Sequence, residues 1–360
     1  ETLKNIRREN ISVDQMLELV PAIKETNLAT ASEVILGLPG DTYQGIIDTF
    51  RGLMNAQIED IQCYTCMMLD GAEMNSAVER KKWNFKTKFR VLPKDFVKLK
   101  NGKNVVEIEE VVVENNTLSF KEYVELRCIS FSLFVTNIGI VYHPLLKFLS
   151  ENHIEVFELI YETVKNLENA PNSVKSVFKS FEKQTIEELW DSPEEIEAHY
   201  QNDQEFQKLL DEDSGMNVMQ FHHAIVVGNT MDDWTNYIMS ISKTLLQNQT
   251  NFDTIKEEFE NIEKYCFGLS HNVLSETRMN DNPEFSFNYD VGKWAKSSEK
   301  KLLDFKYDTP SKLKFILTKK QNNMIEDKLQ IFGNSSTGLL QTIKRIPRQN
   351  LWRIPISINS

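Results

Sequence analysis

The sequence predicts an α/β fold in which a parallel β/α part is followed by a mostly helical α+β part. Three observations predict it. The stretch Ser32–Thr42 indicates a buried strand, a Leu-Pro-Gly turn and the start of a helix. A second strand is expected at Asp60–Leu69, so helix and strand alternate as in a parallel barrel or sheet. From Ser119 onward, apolar residues recur at three- and four-residue spacing, which is typical of amphipathic helices.

The turn within Ser32–Thr42 is expected to be the functional end of the first β/α unit. Gly37 and Gly40 leave room for another group to approach the backbone closely, and Gly40 can take a positive φ. Asp41 is predicted to be the helix N-cap, with Gln44 completing a capping box. Since ligands of parallel α/β folds bind where the strands end, we expect a ligand at this turn.

Composition excludes several classes of protein. The net charge of −12 argues against nucleic acid as the main partner. The longest apolar stretch, Cys128–Leu146, is interrupted by polar residues and is interpreted as one buried helix, so no membrane span is expected. No signal peptide is visible, and the four unevenly spaced cysteines favour a reducing, cytoplasmic location. The chain starts without Met, and we expect it to be the carboxyl-terminal part of a longer protein.

Changes in pattern divide the chain into four predicted parts. These are the barrel portion 1–80, a β-rich connector 81–118, a helical domain 119–250 and a small α/β domain 251–360. The connector is expected to form a hairpin around Asn101-Gly102, with Val105–Val113 as one strand. A structural linker and a cover over the substrate are equally compatible with it.

The later elements are predicted from the spacing of apolar residues and from residues that begin or end helices and strands. The predicted elements are an amino-terminal helix at 12–23, helices Lys121–Val135, Leu145–Leu167, Val174–Phe181, Ile186–Leu210 and Phe252–Phe267 (ended by Gly268), strand Leu313–Thr318, and helix Asn322–Phe332 with Gly333 as C-cap.

Three segments, Glu1–Asn10, Ser32–Thr42 and Asp60–Glu73, resemble the last third of a radical S-adenosylmethionine (SAM) barrel. They are most similar to radical SAM proteins that carry a cobalamin-binding domain at the amino end. The resemblance covers residues 1 to about 80 and extends more loosely to Phe89–Arg127 and to the end of the chain. It implies the carboxyl-terminal part of a partial (β/α)6 TIM-like barrel.

The resemblance assigns SAM-binding roles to single positions. Arg8 matches a residue that contacts the SAM carboxylate or ribose, for which a guanidinium is well suited. Glu33 matches a residue that can bond the ribose hydroxyls, and Ile35 one that packs against adenine. Gly37 matches a position where the backbone approaches the cofactor.

The next strand carries the rest of the implied site, because Cys66 and Met67 match a backbone segment that flanks adenine. The chain departs from the family pattern twice. The family often has Gly where this chain has Glu33, and commonly has Glu where it has Asp41.

Ligands for an iron–sulfur cluster are missing from the sequence. Radical SAM chemistry needs a [4Fe–4S] cluster held by a Cys-x3-Cys-x2-Cys loop, and no such triplet is present. Cys63 and Cys66 have the Cys-x2-Cys spacing of metal sites, but positions three apart on a strand point to opposite faces. We therefore interpret these two thiols, with Cys128 and Cys266, as buried structural cysteines, and expect no metal ligands in this chain.

The family resemblance implies an enzyme that cleaves SAM reductively at the cluster to a radical that abstracts a substrate hydrogen. It implies SAM and a [4Fe–4S] cluster as cofactors, with cobalamin as a further candidate; the cluster ligands and cobalamin would lie outside this chain. The expected reaction is a cobalamin-dependent methyl transfer or a related radical transformation of an unknown, small-molecule or other substrate. A flavodoxin or ferredoxin would supply electrons. This chain alone is expected to be inactive.

Three further features were weighed on residue type alone. The pair His222-His223 lies in an apolar context with no third ligand evident, which favours partly buried histidines over a metal site. The acidic run within Ile186–Leu210, which includes Asp191, Glu194, Glu195, Glu197 and Asp203, is interpreted as a solvated helix face. The basic tail Ile343–Ile358, which includes Arg353, is expected to dock on the acidic helices rather than to meet an anionic substrate.

Two other functions remain open at this point. The chain could be a non-catalytic helical binding or scaffold module that keeps a degenerate barrel end. It could also be an unrelated barrel enzyme whose Gly-Leu-Pro-Gly-Asp-Thr turn holds a phosphate at a helix N-terminus, although the Gly-Lys-Ser/Thr ending of a P-loop is absent.

Overall fold

A computed structural model describes residues 2–6, 15, 18–19, 30–137, 140–212, 214–297 and 300–358. The chain divides into two compact units. Unit 1 comprises Glu1–Phe131 and Phe178–Met219, and unit 2 comprises Ser132–Val177 and Gln220–Ser360. Arg8 and most of the helix predicted over 12–23 lie outside the described residues.

Seven strands and fifteen α-helices are found among the described residues. The strands are β1 Ala31–Leu36, β2 Asp60–Thr65, β3 Lys86–Lys98, β4 Asn104–Glu114, β5 Glu284–Tyr289, β6 Lys306–Ile316 and β7 Ile354–Ser357. The helices are α1 Thr2–Asn5, α2 Tyr43–Asn55, α3 Ala77–Trp83, α4 Phe120–Thr136, α5 His143–Glu151, α6 Val156–Lys165, α7 Asn172–Glu187, α8 Pro193–Tyr200, α9 Asp203–Leu210, α10 Val218–Ile225, α11 Met231–Gln249, α12 Lys256–Ser270, α13 Val291–Ala295, α14 Lys319–Phe332 and α15 Ser336–Arg345.

The parallel part of unit 1 is the strand pair β1–β2, joined by α2. The two strands are parallel and in register from Ala31–Asp60 to Leu36–Thr65, which confirms the α/β class and the strand–turn–helix prediction. Strand β2 ends at Thr65 rather than at the predicted Leu69, because the chain then pairs antiparallel with β4. The partial barrel stays a prediction, since the described part of the chain contains one parallel pair.

The predicted hairpin is confirmed as the antiparallel pair β3–β4, which turns at Gly102 with φ +83°. Basic residues of β3 meet acidic residues near α7 and α8: Lys88 pairs with Asp191, and Arg90 with Glu188 at 2.9 Å. The acidic run is solvated, as predicted. Glu194, Glu195 and Glu197 are exposed, and Asp191 is exposed as well although it pairs with Lys88 of the hairpin.

Three helices predicted as continuous are interrupted, so those predictions are wrong in their bounds. The stretch 128–146 is divided between α4 and α5, 145–167 between α5 and α6, and 186–210 among α7, α8 and α9. The last break has a local cause. Ser192 accepts the N–H of Glu195 as an N-cap and Pro193 occupies the first helical position, while Asn202 caps α9. None of the described helices has the length and apolar content needed to cross a membrane.

Unit 2 contains the antiparallel sheet β5–β6–β7, whose inner face is aromatic. Phe287 and Phe315 of this face are fully buried against α12. Helix α12 was predicted to end at Gly268, but it continues to Ser270. Gly268 instead provides room for a close contact, because a Cβ there would lie 2.5 Å from the Phe315 ring. The predicted helix with Gly333 as its C-cap is confirmed by α14.

Gly268→Ala is expected to lower the free energy of unfolding by about 1–3 kcal/mol, because the added methyl group overpacks the Phe315 ring. The higher helix propensity of alanine, about 1 kcal/mol, offsets only part of this loss. Urea denaturation measures the change. Gly45→Ala in α2 is the matched control: its Cβ would lie 3.1 Å from the Thr42 hydroxyl, which can move, rather than against a buried ring, so it is expected to cost less than Gly268→Ala. A stabilised Gly268→Ala protein would contradict the packing role.

The carboxyl-terminal tail docks on unit 2 through Arg353, which is fully buried. Its guanidinium donates to the main-chain oxygens of His271 at 2.6 Å and Arg278 at 2.9 Å, and to Asn282 Oδ1 at 2.8 Å. Burial lowers the pKa of Arg353 to about 10. The tail is thus docked as predicted, although Arg353 binds carbonyl and amide oxygens rather than the side chains of an acidic helix.

Candidate functional site

The turn between β1 and α2 is fixed by Asp41. The Leu38 N–H donates to Asp41 Oδ2 at 2.9 Å, and the Asp41 N–H donates to the Leu38 carbonyl at 3.0 Å. Gly37 and Gly40 take φ values of +91° and +86°, which the turn requires. The carboxylate of Asp41 therefore points back into the turn and closes it.

Asp41 is not the N-cap of α2, contrary to the sequence prediction. Thr42 is the cap, because its Oγ1 accepts the Gly45 N–H at 3.0 Å. The Thr117 hydroxyl donates to the Asp41 carbonyl at 2.5 Å. Asp41 is 7% exposed, and burial raises the pKa of its carboxyl group to about 6 against the hydrogen bond from Leu38.

Strand β1 has two unlike faces, as strand geometry requires. Val34 and Leu36 are buried on the side of α2. Glu33 and Ile35 alternate with them and so lie on the other face, where Glu33 is exposed and Ile35 is half-buried. These two predicted SAM-binding residues are therefore neighbours on an accessible surface.

Strand β2 adds two residues to this surface that the sequence analysis missed. Gln62 lies beside Glu33 and Tyr64 beside Ile35 in the parallel register. Tyr64 is 46% exposed, and its hydroxyl donates to Gln62 Oε1. Partial burial and the nearby Glu33 carboxylate raise the pKa of Tyr64. We call the surface formed by Glu33, Ile35, Gln62 and Tyr64 the open face.

The chain beyond β2 changes its pairing partner at Cys66. The Cys66 N–H donates to the Leu36 carbonyl at 2.8 Å, and the Cys66 carbonyl accepts the Val112 N–H at 2.9 Å. Met67 follows, with 41% of its surface exposed. Among the described residues, its backbone N–H and C=O have no hydrogen-bond partner. A polar backbone edge is thus available next to the open face.

Gly37 is approached closely by the chain's own hairpin. A Cβ at Gly37 would lie 3.0 Å from the Val112 carbonyl oxygen, so the missing side chain makes room for β4. The predicted approach of Gly37 to a cofactor stays a prediction.

The two cysteines of β2 and its extension lie on different sides, as expected. Cys66 packs with Met68 and Val112 in a cluster that Ile35 joins. Burial raises the pKa of the Cys63 thiol to about 11 and that of Cys66 to about 12, so both thiols are protonated at neutral pH. No group of three metal-ligating side chains occurs within the described ranges.

The histidine pair on α10 is partly buried, as the sequence analysis favoured. His222 is fully buried, and His223 contacts the Phe134 ring with 5.0 Å between ring centroids. Burial lowers the pKa of His223 to about 4, so its ring is neutral.

Comparison with known proteins gives a partial similarity, and no family model matches the chain. A curated protein, the cobalamin-dependent radical SAM methyltransferase TokK from Streptomyces tokunonensis, is 29% identical over 128 residues. This match suggests the radical SAM family. It covers 35% of this chain and 18% of the length of that protein, so it concerns only a part of each.

Proposed function

We propose that the chain is part of a radical SAM enzyme that works with cobalamin, and that the open face belongs to its SAM site. The observation that carries the proposal is the position of Glu33 and Ile35 on one accessible face of a parallel strand pair, with Ile35 next to the carboxyl end of β1. Ligands of α/β folds bind at that end. The partial similarity to a cobalamin-dependent radical SAM methyltransferase supports the same assignment.

The residues present suit the parts of SAM that they would contact. The exposed Glu33 carboxylate can accept hydrogen bonds from two ribose hydroxyls. Ile35 offers an apolar surface to the adenine ring, and the backbone of Met67 offers one donor and one acceptor to its polar edge. Bound SAM, with an iron–sulfur cluster held by residues outside this chain, would supply the radical chemistry. In this proposal, Cys66 and Gly37 shape the backbone around the base.

The reaction we propose is a methyl transfer to an unactivated carbon or a related radical transformation, with electrons from a flavodoxin or ferredoxin. The phosphate-binding alternative loses support, because the Leu38 N–H in the turn is already donated to Asp41. The Asp41 carboxylate would also repel a phosphate at this position. The scaffold alternative remains as an outcome of the test below.

Ile35→Asp in the full-length protein is expected to weaken SAM binding by about tenfold or more, about 1.4 kcal/mol, because adenine would contact a carboxylate that must lose its water. Equilibrium dialysis of the anaerobically reconstituted protein measures the affinity. Formation of 5′-deoxyadenosine measures turnover.

The control is Ile331→Asp, which places the same charge at a position of α14 that is 66% exposed. It is expected to leave SAM binding unchanged. Equal affinity of Ile35→Asp and wild type would refute the role of the open face. A wild-type full-length protein that does not bind SAM would overturn the enzyme assignment and support the scaffold module.

A further inference from the structure

Arg127 on α4 is a buried cation without a partner. Arg127 is 6% exposed, and no hydrogen bond or ion pair joins its side chain to another described residue. The Nε atom is fully enclosed and unsatisfied. Because a buried charge that is neither paired nor hydrogen-bonded is costly, this arrangement calls for an anionic group that the chain itself does not provide.

The guanidinium lies over the ring of Phe181 on α7, with 5.9 Å between Cζ and the ring centroid. Phe131, one helical turn after Arg127, stacks on the same ring at 4.6 Å. Thr185 lies one turn after Phe181 on the same side of α7 and is fully buried. Its hydroxyl is also unsatisfied. The unsatisfied Nε of Arg127 thus belongs to a guanidinium that lies over Phe181, and the unsatisfied Thr185 hydroxyl lies one helical turn beyond that ring.

Neither of the nearby acidic side chains forms an ion pair with Arg127. Glu125 accepts a hydrogen bond from the Tyr43 hydroxyl at 2.5 Å, and Glu182, which follows Phe181 on α7, is exposed. The Cys63 thiol is near enough to feel the Arg127 charge. Burial raises the pKa of Cys63, and the hydrogen bond with Ser130 and the Arg127 charge offset part of that rise. Cys63 keeps part of its surface exposed, so solvent reaches this neighbourhood.

We propose that Arg127 and Thr185 form a binding site for a small oxyanion, a carboxylate or a phosphate. The guanidinium presents five N–H donors in a planar fork that matches either group, and the threonine hydroxyl adds a further donor. Phe181 supplies the apolar floor that keeps the fork in place. Cys63 and Ile35 are on opposite faces of the β1–β2 pair, so the site is separate from the open face.

The experiment measures thermal denaturation of this chain in inorganic phosphate, in acetate and in sodium chloride of equal ionic strength. As the concentration of phosphate or of acetate rises, the Tm of wild type is expected to exceed its value in chloride by a few degrees, since a ligand of the folded state stabilises it. The anion with the larger effect shows whether the site prefers phosphate or a carboxylate. Arg127→Met is expected to lose the gain and to have the higher Tm in chloride, because an apolar side chain replaces an unpaired charge.

Two further variants test the role of Thr185 and control for the loss of an arginine. Thr185→Val is expected to reduce the anion effect several-fold with the fold intact. Arg51→Met removes a partly exposed arginine of α2 that pairs with Asp48, and is expected to respond like wild type.

Alkylation of Cys63, followed by peptide mapping, gives a second readout that does not depend on stability. The effective anion should slow it several-fold in wild type and not in Arg127→Met or, if that variant does not fold, Thr185→Val. No oxyanion effect in wild type, or an equal Tm gain in Arg127→Met, would overturn the proposal and leave Arg127 solvated by buried water only.

Discussion

Arg353→Met is expected to lower the free energy of unfolding by about 2–3 kcal/mol, because an acceptor left without a donor costs about 1–3 kcal/mol where it is buried and less where it is half-buried. The variant would orphan the main-chain oxygens of His271 and Arg278 and the Asn282 side chain, all of which now accept from the guanidinium. Methionine fills much of the volume but donates no hydrogen bond. The loss therefore comes from unsatisfied oxygens rather than from a cavity.

Urea denaturation followed by tryptophan fluorescence measures this loss, since the neighbouring Trp352 is 2% exposed and reports on the same region. Arg345→Met is the matched control. Arg345 is exposed and lies over the Phe332 ring at 4.5 Å, so its replacement is expected to cost about 1 kcal/mol or less. Equal effects of the two variants would mean that the hydrogen bonds of Arg353 do not hold the tail.

The elements that sequence reasoning found have strong local signals. The run before Gly37 is apolar and ends in a Leu-Pro-Gly turn, and both features act within a few residues. Gly333 ends α14 with φ +77°, a conformation that glycine adopts without strain. Ser192-Pro193 carried an equally local signal for the start of α8, and reading it would have divided the helix predicted over 186–210.

Gly268 shows why the end of helix α12 was predicted wrongly. Gly268 gave the same signal as a helix terminus, but its role is set by Phe315, which is distant in sequence. A glycine that stops a helix and one that admits a neighbouring ring look alike until the tertiary contact is known. The spacing of apolar residues along the sequence does not reveal such contacts.

In the candidate site too, local sequence patterns identify some residues, whereas others depend on tertiary contacts. Glu33 and Ile35 could be placed on one face because strand residues alternate, and the parallel register would have added Gln62 and Tyr64. Arg127 could not be found in this way. Its sequence context is an ordinary helix, and only the packing of α4 on α7 shows that its charge is buried and unpaired.

Asp41→Asn is expected to stabilise the protein by about 3 kcal/mol at pH 8, with a much smaller effect near pH 4. Burial raises the pKa of Asp41 from 3.8 to about 6, so the folded state holds the proton more tightly than the unfolded state. The free energy of unfolding of wild type therefore falls as the pH rises through this window, and each pKa unit is worth about 1.4 kcal/mol. Asparagine has no charge to bury, so the free energy of unfolding of the variant does not fall over this pH range on account of residue 41.

The comparison depends on asparagine keeping the geometry of the turn. Its Oδ1 can still accept the Leu38 N–H that Asp41 Oδ2 accepts at 2.9 Å, whereas Asp41→Ala would leave that donor unsatisfied. Urea denaturation at pH 4, 6 and 8 measures the difference between variant and wild type. The control is Asp48→Asn on the exposed side of α2. Because Asp48 is largely solvated, we expect a small difference that does not grow from pH 4 to pH 8. A pH-independent effect of Asp41→Asn would mean that the Asp41 carboxylate is ionised in the folded turn without penalty, for which a cation beside it would be needed.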